Sequence, residues 1–197
     1  MMTYKDAVEV IQRERGDAVA VVTMTQTKYW NRTSAHPELD IGISNGMSKA
    51  SSVGLGIAIG APERNVYVLD GDGSLLMNLG SLVTVATQAP ANFFHFLFQN
   101  NVYAVTGGQP VPGVGKADFQ KLAEGSGYRH TRSYDDIESF ATDFPELSKL
   151  EGPVMIVLAV ETEIQQGGVE QTWESNARMP AALRSVRKSL DSTYIPE

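Results

Sequence analysis

Two runs in this sequence, Val66 to Leu69 and Phe93 to Phe98, are strand-length and apolar, with one histidine in the second. Runs of that kind fit strands buried on both faces, which belong to parallel sheets sandwiched between helices. Each run ends in an oxygen-rich turn: Gly71-Asp72-Gly73-Ser74 after the first, Gln99-Asn100-Asn101 after the second. In a parallel sheet such ends fall along one rim.

The rest of the chain supplies the alternation that such a sheet needs. Thr3 to Arg15 reads as an amphipathic helix begun by a Thr cap, and Ala18 to Met24 as a β-branched strand followed by a polar loop, TQTKYWNRTSAH. Asp40 to Ser44 is a short strand. Asn45 to Gly60 carries small residues at helical spacing, as a helix packed tightly on a sheet would. Leu75 to Gln88 returns to helical spacing, Thr106 to Gly115 is a Gly/Pro-rich irregular loop, and Ala117 to Glu124 is a short helix. A strand at Tyr128 to Thr131, helical spacing from Tyr134 to Leu150 interrupted near Pro145, and a last strand at Val154 to Val160 follow. Glu161 to Asn176 reads as a tail loop and Pro180 to Leu190 as a final basic helix. The expectation is an α/β fold: a doubly wound, mainly parallel sheet with helices on both faces, in one domain over 1–197 whose tail, 161–197, contacts another subunit.

Composition removes several classes of function. With 42% hydrophobic and 20% charged residues the chain is globular, and its apolar runs are too short to span a bilayer. Met1 to Arg15 lacks the apolar centre of a signal peptide, so a cytoplasmic protein is expected, with no membrane partner. The absence of cysteine excludes disulfides and thiolate metal sites. A net charge of −7 argues against nucleic acid as a partner, so any phosphate must be held locally.

The two turns carry the chemistry. Glycines at 71 and 73 let the backbone approach a ligand, a helix start beyond them offers N–H groups to an anion, and Asp72 is a hard oxygen for a divalent cation. Ordinary turn chemistry of Asp and Gly explains many such turns. Asn100, with 26 residues between it and Gly73, adds an amide oxygen on the same rim, and the Val102 carbonyl is a third candidate. Mg²⁺ takes about six oxygens, several from phosphate and water.

GDGS with an Asn pair at this spacing resembles the thiamine diphosphate motif, and GDGSLLMNLGSL with TGGQP resembles the sulfopyruvate and phosphonopyruvate decarboxylases. The resemblance runs from about Ala18 to Val160. It implies side-chain ligation of Mg²⁺ by Asp72 and Asn100, carbonyl ligation by Val102, and diphosphate contacts from Gly71, Gly73 and Ser74. It also implies that Met47 wedges between the rings of thiamine diphosphate, that the Asn45 carbonyl meets its aminopyrimidine, and that Thr25 and Thr27 face the cofactor. The chain departs from the pattern at Gln99 and Asn101, where the relatives have Asp and Gly, and at Ser48, which replaces a Gly. Asn101 tolerates the left-handed conformation a Gly would have supplied.

Elsewhere the bland readings stand beside the functional ones. His95 lies inside a strand as a structural residue, His36 sits on a polar loop with the option of facing substrate, and Lys28, Arg32 and Lys116 are isolated basic residues on loops. Tyr29-Trp30 is either an exposed pair that meets another subunit or a local anchor.

The resemblance also implies what the chain lacks. The activating Glu of these enzymes belongs to a separate pyrimidine-binding domain, so no catalytic residue is expected here. The expected protein is the cofactor-holding, β-type subunit of a heteromeric 2-oxo acid decarboxylase. Its partner would be a pyrimidine-binding subunit of similar size in an α2β2 or larger assembly, and its substrate a small anionic 2-oxo acid such as 3-sulfopyruvate or 3-phosphonopyruvate. A carboligase or oxidoreductase subunit, and a non-catalytic assembly or regulatory subunit, remain as alternatives.

Overall fold

Six parallel strands form the centre of the molecule in the order Asp40–Ile43, Val19–Thr23, Val66–Gly71, Phe93–Gln99, Val154–Ala159, His130–Tyr134. The structure, a computed structural model, describes residues 2–43, 46–164 and 179–191. The strands are β1 (Val19–Thr23), β2 (Asp40–Ile43), β3 (Val66–Gly71), β4 (Phe93–Gln99), β7 (His130–Tyr134) and β8 (Val154–Ala159). A separate antiparallel pair, β5 (Val102–Tyr103) and β6 (Gln109–Pro110), stands beyond the end of β4.

Alternate strand residues feed two cores. Tyr67, Leu69, Phe94, Phe96 and Phe98 enter one, with α1 (Tyr4–Arg13), α2 (Met24–Thr33) and α7 (Ile137–Leu147) over it. Val66, Val68, Phe93 and Leu97 enter the other, under α3 (Ala50–Gly60), α5 (Ser81–Gln88), α6 (Phe119–Ser126) and α8 (Met179–Leu190). Both faces are therefore covered, which is why β3 and β4 read as apolar runs instead of alternating ones. Among the described residues no helix is long and apolar enough to cross a membrane.

Thr3 caps α1 as expected, its Oγ1 accepting the Asp6 N–H at 3.1 Å. The small residues of α3 also have the expected cause: a Cβ on Gly54 would stand 2.3 Å from Val68 Cγ2, so only glycine lets this helix lie on β3. Four expectations are corrected. The polar stretch after β1 is the helix α2, whose buried Gln26 and Thr27 are held by side-chain hydrogen bonds to strand carbonyls; its missing apolar stripe hid it. The helix expected over Leu75 to Gln88 is two helices, a single turn α4 (Asp72–Leu76) and then α5. Thr106 to Gly115 contains β6 and turns back on β5 through Gly107 and Gly108, both at positive φ. The strand expected at Tyr128 to Thr131 shifts to His130–Tyr134, while α7 runs unbroken through Pro145. Most of the expected tail loop, 165–176, lies outside the described residues.

At the opposite edge, where β1 and β2 begin, the buried Arg15 guanidinium sits 2.6 Å from Asp40 Oδ1 and 5.1 Å from the centre of the Trp30 ring. Trp30 is fully buried and so is a local anchor, while Tyr29 is half-buried beside it.

Candidate functional site

β2 lies on one side of β1 and β3 on the other, so the winding reverses where β1 and β3 end. That reversal opens a crevice outside the carboxyl ends of the strands. A cleft that opens to solvent occupies it. Thr23 to Gln26 line it from the end of β1, Gly71 to Ser74 from the end of β3, and Asn100 with Val102 to Thr106 from beyond β4; Tyr4 and Met47 close it.

Asp72 is 2% exposed. Its Oδ1 accepts the Gly73 N–H at 2.8 Å and its Oδ2 the Asn101 N–H at 2.7 Å. Burial pushes the carboxyl above the ordinary Asp range, and those N–H groups partly oppose the shift. Among the described residues no Lys, Arg or His forms an ion pair with it. A buried carboxylate without a cation is unfavourable, and each of its oxygens keeps a free lone pair. Asn100 Oδ1 accepts the Val102 N–H at 3.0 Å and its Nδ2 donates to the Tyr4 phenol oxygen at 2.8 Å. Hard oxygens with spare lone pairs, beside a carboxylate lacking a counter-charge, fit a divalent cation of the Mg²⁺ type.

The turn itself is held closely. A Cβ on Gly73 would stand 2.5 Å from Tyr103 Cε1 and 3.1 Å from Val111 Cγ1, so the β5–β6 hairpin can approach only a glycine. Ser74 Oγ accepts the Ser48 N–H at 2.9 Å, leaving its O–H to donate. Two of the three departures from the pattern sit where left-handed backbone is required: Ser48 at φ +72° and Asn101 at φ +64°. The helix start at Asp72 is only the one-turn α4, so the sequence argument from a long helix end is reduced to local N–H groups.

Of the residues singled out in the sequence, Gly71, Asp72, Gly73, Ser74, Asn100, Val102, Thr25 and Met47 share this cleft. Thr27 does not line it; its hydroxyl donates to the Val22 carbonyl at 3.4 Å. Asn45 lies outside the described residues. His36 is paired with Glu38 at the opposite edge, and Lys28 lies over the Tyr29 ring. His95 is fully buried and contacts the Tyr128 hydroxyl through Nδ1; its Nε2 is 3.8 Å from Asp70 Oδ2, too far for a hydrogen bond.

Sequence reasoning missed Tyr4, Gln26 and Tyr103. Gln26 Nε2 donates to the Asp70 carbonyl at 3.1 Å, tying α2 to the GDG turn. Tyr103 stands three residues beyond Asn100, close enough in sequence to have been examined with it. Tyr4 carries no signal, being an aromatic on an ordinary amphipathic helix 96 positions from its partner Asn100. Burial, followed by the charges of Asp72 and Glu163, pushes its phenol well up from the usual value.

Comparison with known proteins adds the following. The family model described as "Thiamine pyrophosphate enzyme, C-terminal TPP binding domain" matches residues 18–158. Sulfopyruvate decarboxylase subunit beta of Methanothermobacter thermautotrophicus is 43% identical over 115 residues, 58% of this chain and 58% of that protein. Phosphonopyruvate decarboxylase of Streptomyces hygroscopicus is 36% identical over 155 residues, 78% of this chain and 38% of that protein. The match thus spans less than two thirds of either relative's length. A thiamine diphosphate-dependent 4-hydroxybenzoylformate decarboxylase of Rhodococcus jostii RHA1 superposes with a TM-score of 0.70 at 21% identity, over 83% of this chain and 33% of that one, a likeness of fold.

Proposed function

Since the chain belongs to the thiamine pyrophosphate enzymes, matching their C-terminal TPP binding domain, we propose that it is the diphosphate- and metal-holding subunit of a heteromeric 2-oxo acid decarboxylase. The observation that carries this reading is Asp72, a buried carboxylate that pairs with no basic side chain among the described residues, facing the cleft at the strand ends beside Asn100. Asp72, Asn100 and Val102 would hold Mg²⁺. Gly71, Gly73 and the Ser74 hydroxyl would meet the diphosphate, with Met47 and Thr25 against the rest of the cofactor. Thiamine diphosphate, when bound, supplies a nucleophilic carbon and an electron sink for loss of CO₂ from a 2-oxo acid.

The chain's own residues bind, orient and exclude water. The two N–H groups on Asp72 fix its carboxylate before a metal arrives, so little reorganisation is needed on binding. Met24, Met47, Tyr103 and Val105 give the cleft apolar walls, which would shed water once a cofactor covers them and so strengthen the charge interactions inside it. A group that activates the aminopyrimidine would come from a separate pyrimidine-binding subunit. The beta-subunit name of one relative supports that arrangement, and the names of both support 3-sulfopyruvate or 3-phosphonopyruvate as substrate. Residues 1–197 would form a single diphosphate-binding domain, of which 18–158 match the family model, with the tail 161–197 reaching the other subunit.

The test is product analysis with the full chain co-expressed with its partner, given Mg²⁺, thiamine diphosphate and each 2-oxo acid. Stoichiometric CO₂ and aldehyde support the reading. A ligated product, or electron transfer to an acceptor, would replace decarboxylation, and full activity of the isolated chain would remove the split-subunit arrangement.

A further inference from the structure

We propose that Tyr4 is a ligand-binding residue of the cleft, whose O–H donates to an anionic oxygen of a diphosphate ester seated beside Asp72. The inference rests on the cofactor reading above. It starts from the amide of Asn100, whose two ends look alike in shape but not in chemistry. The Val102 N–H, which can only donate, lies 3.0 Å from one end, so that end is the carbonyl Oδ1. The other end is therefore the NH₂ group, and it lies 2.8 Å from the Tyr4 hydroxyl. An amide NH₂ cannot accept a hydrogen bond, so the Tyr4 oxygen is the acceptor of this contact. Its own proton must go elsewhere.

Among the described residues that O–H meets no acceptor, although the Tyr4 side chain is almost completely buried and lines the cleft. A buried hydroxyl with an unused donor is unfavourable unless something in the cleft accepts it. Among the described residues no hydrogen bond joins that O–H to the neighbouring Asp72 carboxylate, whose oxygens accept the Gly73 and Asn101 N–H groups. An incoming anion is the acceptor whose charge the donor matches. The ring cannot swing away to find another, because it is stacked against Phe98 at 5.5 Å and 6° and against Tyr29 at 6.2 Å and 13°. Tyr4 thus acts twice, orienting the Asn100 amide and offering a donor from α1 to the same ligand.

The test uses the full chain with its co-purifying partner and titrates magnesium pyrophosphate calorimetrically, so that no turnover is involved. Tyr4→Phe keeps the ring and its stack and removes only the hydroxyl. A donor to a charged acceptor predicts about ten- to a hundred-fold weaker binding. Tyr29→Phe removes a hydroxyl from the same stack that bonds Glu163 instead of Asn100, and its affinity should stay within about two-fold of the parent. Equal affinity in Tyr4→Phe and the parent overturns this inference and leaves the cofactor reading intact. An unfolded Tyr4→Phe, or an equal loss in Tyr29→Phe, also overturns it, because the hydroxyl is then structural. Failure of the parent itself to bind either magnesium pyrophosphate or thiamine diphosphate overturns both readings.

Discussion

Asn101 donates its backbone N–H to Asp72 Oδ2 across 2.7 Å, and so the turn after β4 is bonded to the first residue after β3. Strands that are neighbours in the sheet therefore also hold each other's ends, and the carboxylate at their junction is fixed without help from a ligand.

Asp72→Ala should abolish the binding heat of Mg²⁺ with thiamine diphosphate while moving the unfolding temperature of the ligand-free protein little. Two opposing effects explain the second half. The substitution orphans the N–H groups of Gly73 and Asn101, at about 1–3 kcal/mol each, and removes a buried carboxylate that had no cation, a relief of similar order. Calorimetry and a thermal melt on the same sample check both; retained binding removes the metal site.

Thr25 and Thr27 separate by position. Thr25→Ala should weaken cofactor affinity, because this side chain lines the cleft. Thr27→Ala should leave affinity unchanged and cost about 1 kcal/mol in denaturant, the value of its bond to the Val22 carbonyl. The reverse pattern would mean that α2 presents its other face.

Gly73→Ala puts a methyl 2.5 Å from the Tyr103 ring, so the β5–β6 hairpin must move outward. Overpacking of this kind costs about 1–3 kcal/mol. Affinity should fall with stability, and exchange of the Val111 amide, which donates to the Asn101 carbonyl at 3.0 Å, should quicken.

Arg15→Met tests the far edge. It strips the partner from Asp40 and the cation from the Trp30 ring, and breaking a buried pair from one side costs about 3–5 kcal/mol. The cleft lies at the other end of the strands, so cofactor affinity should persist in the folded fraction at low denaturant.

Alkaline pH should unfold the protein. Burial, the largest cause in each case, pushes Tyr29 and Tyr134 up to about 12, and Tyr4, Tyr67 and Tyr128 further. An unfolded phenol ionises at about 10. The folded chain thus binds more protons than the unfolded one above that pH, so stability is complete below about 10 and is lost as pH rises through the folded values. A tyrosinate absorbance titration should show these groups ionising only as circular dichroism is lost.

The layered sheet was legible because β3, β4 and β8 bury both faces, and burial leaves an unbroken apolar run. The cleft was legible at Asp72 and Asn100 because both follow apolar runs whose ends fall along one rim of a parallel sheet. α2 was not, since its buried side chains are polar and satisfied by bonds to strands distant in sequence, as with Gln26 and Asp70. Tyr4 was hidden for the same reason: its partner is fixed by the fold and no local pattern points to it.

The position of β8 between β4 and β7 has a consequence for synthesis. Among the described residues every one that lines the cleft lies at or before Thr106, so the chain has produced these parts of the site long before Val154 leaves the ribosome. Through that interval β4, with the sequence FFHFLFQ, has an open edge, and β7 has no strand to join. An unpaired apolar strand is a template for association between nascent chains. Yield of soluble protein should therefore depend on translation speed and chaperone supply across residues 100–160, more than on the stability of the finished fold.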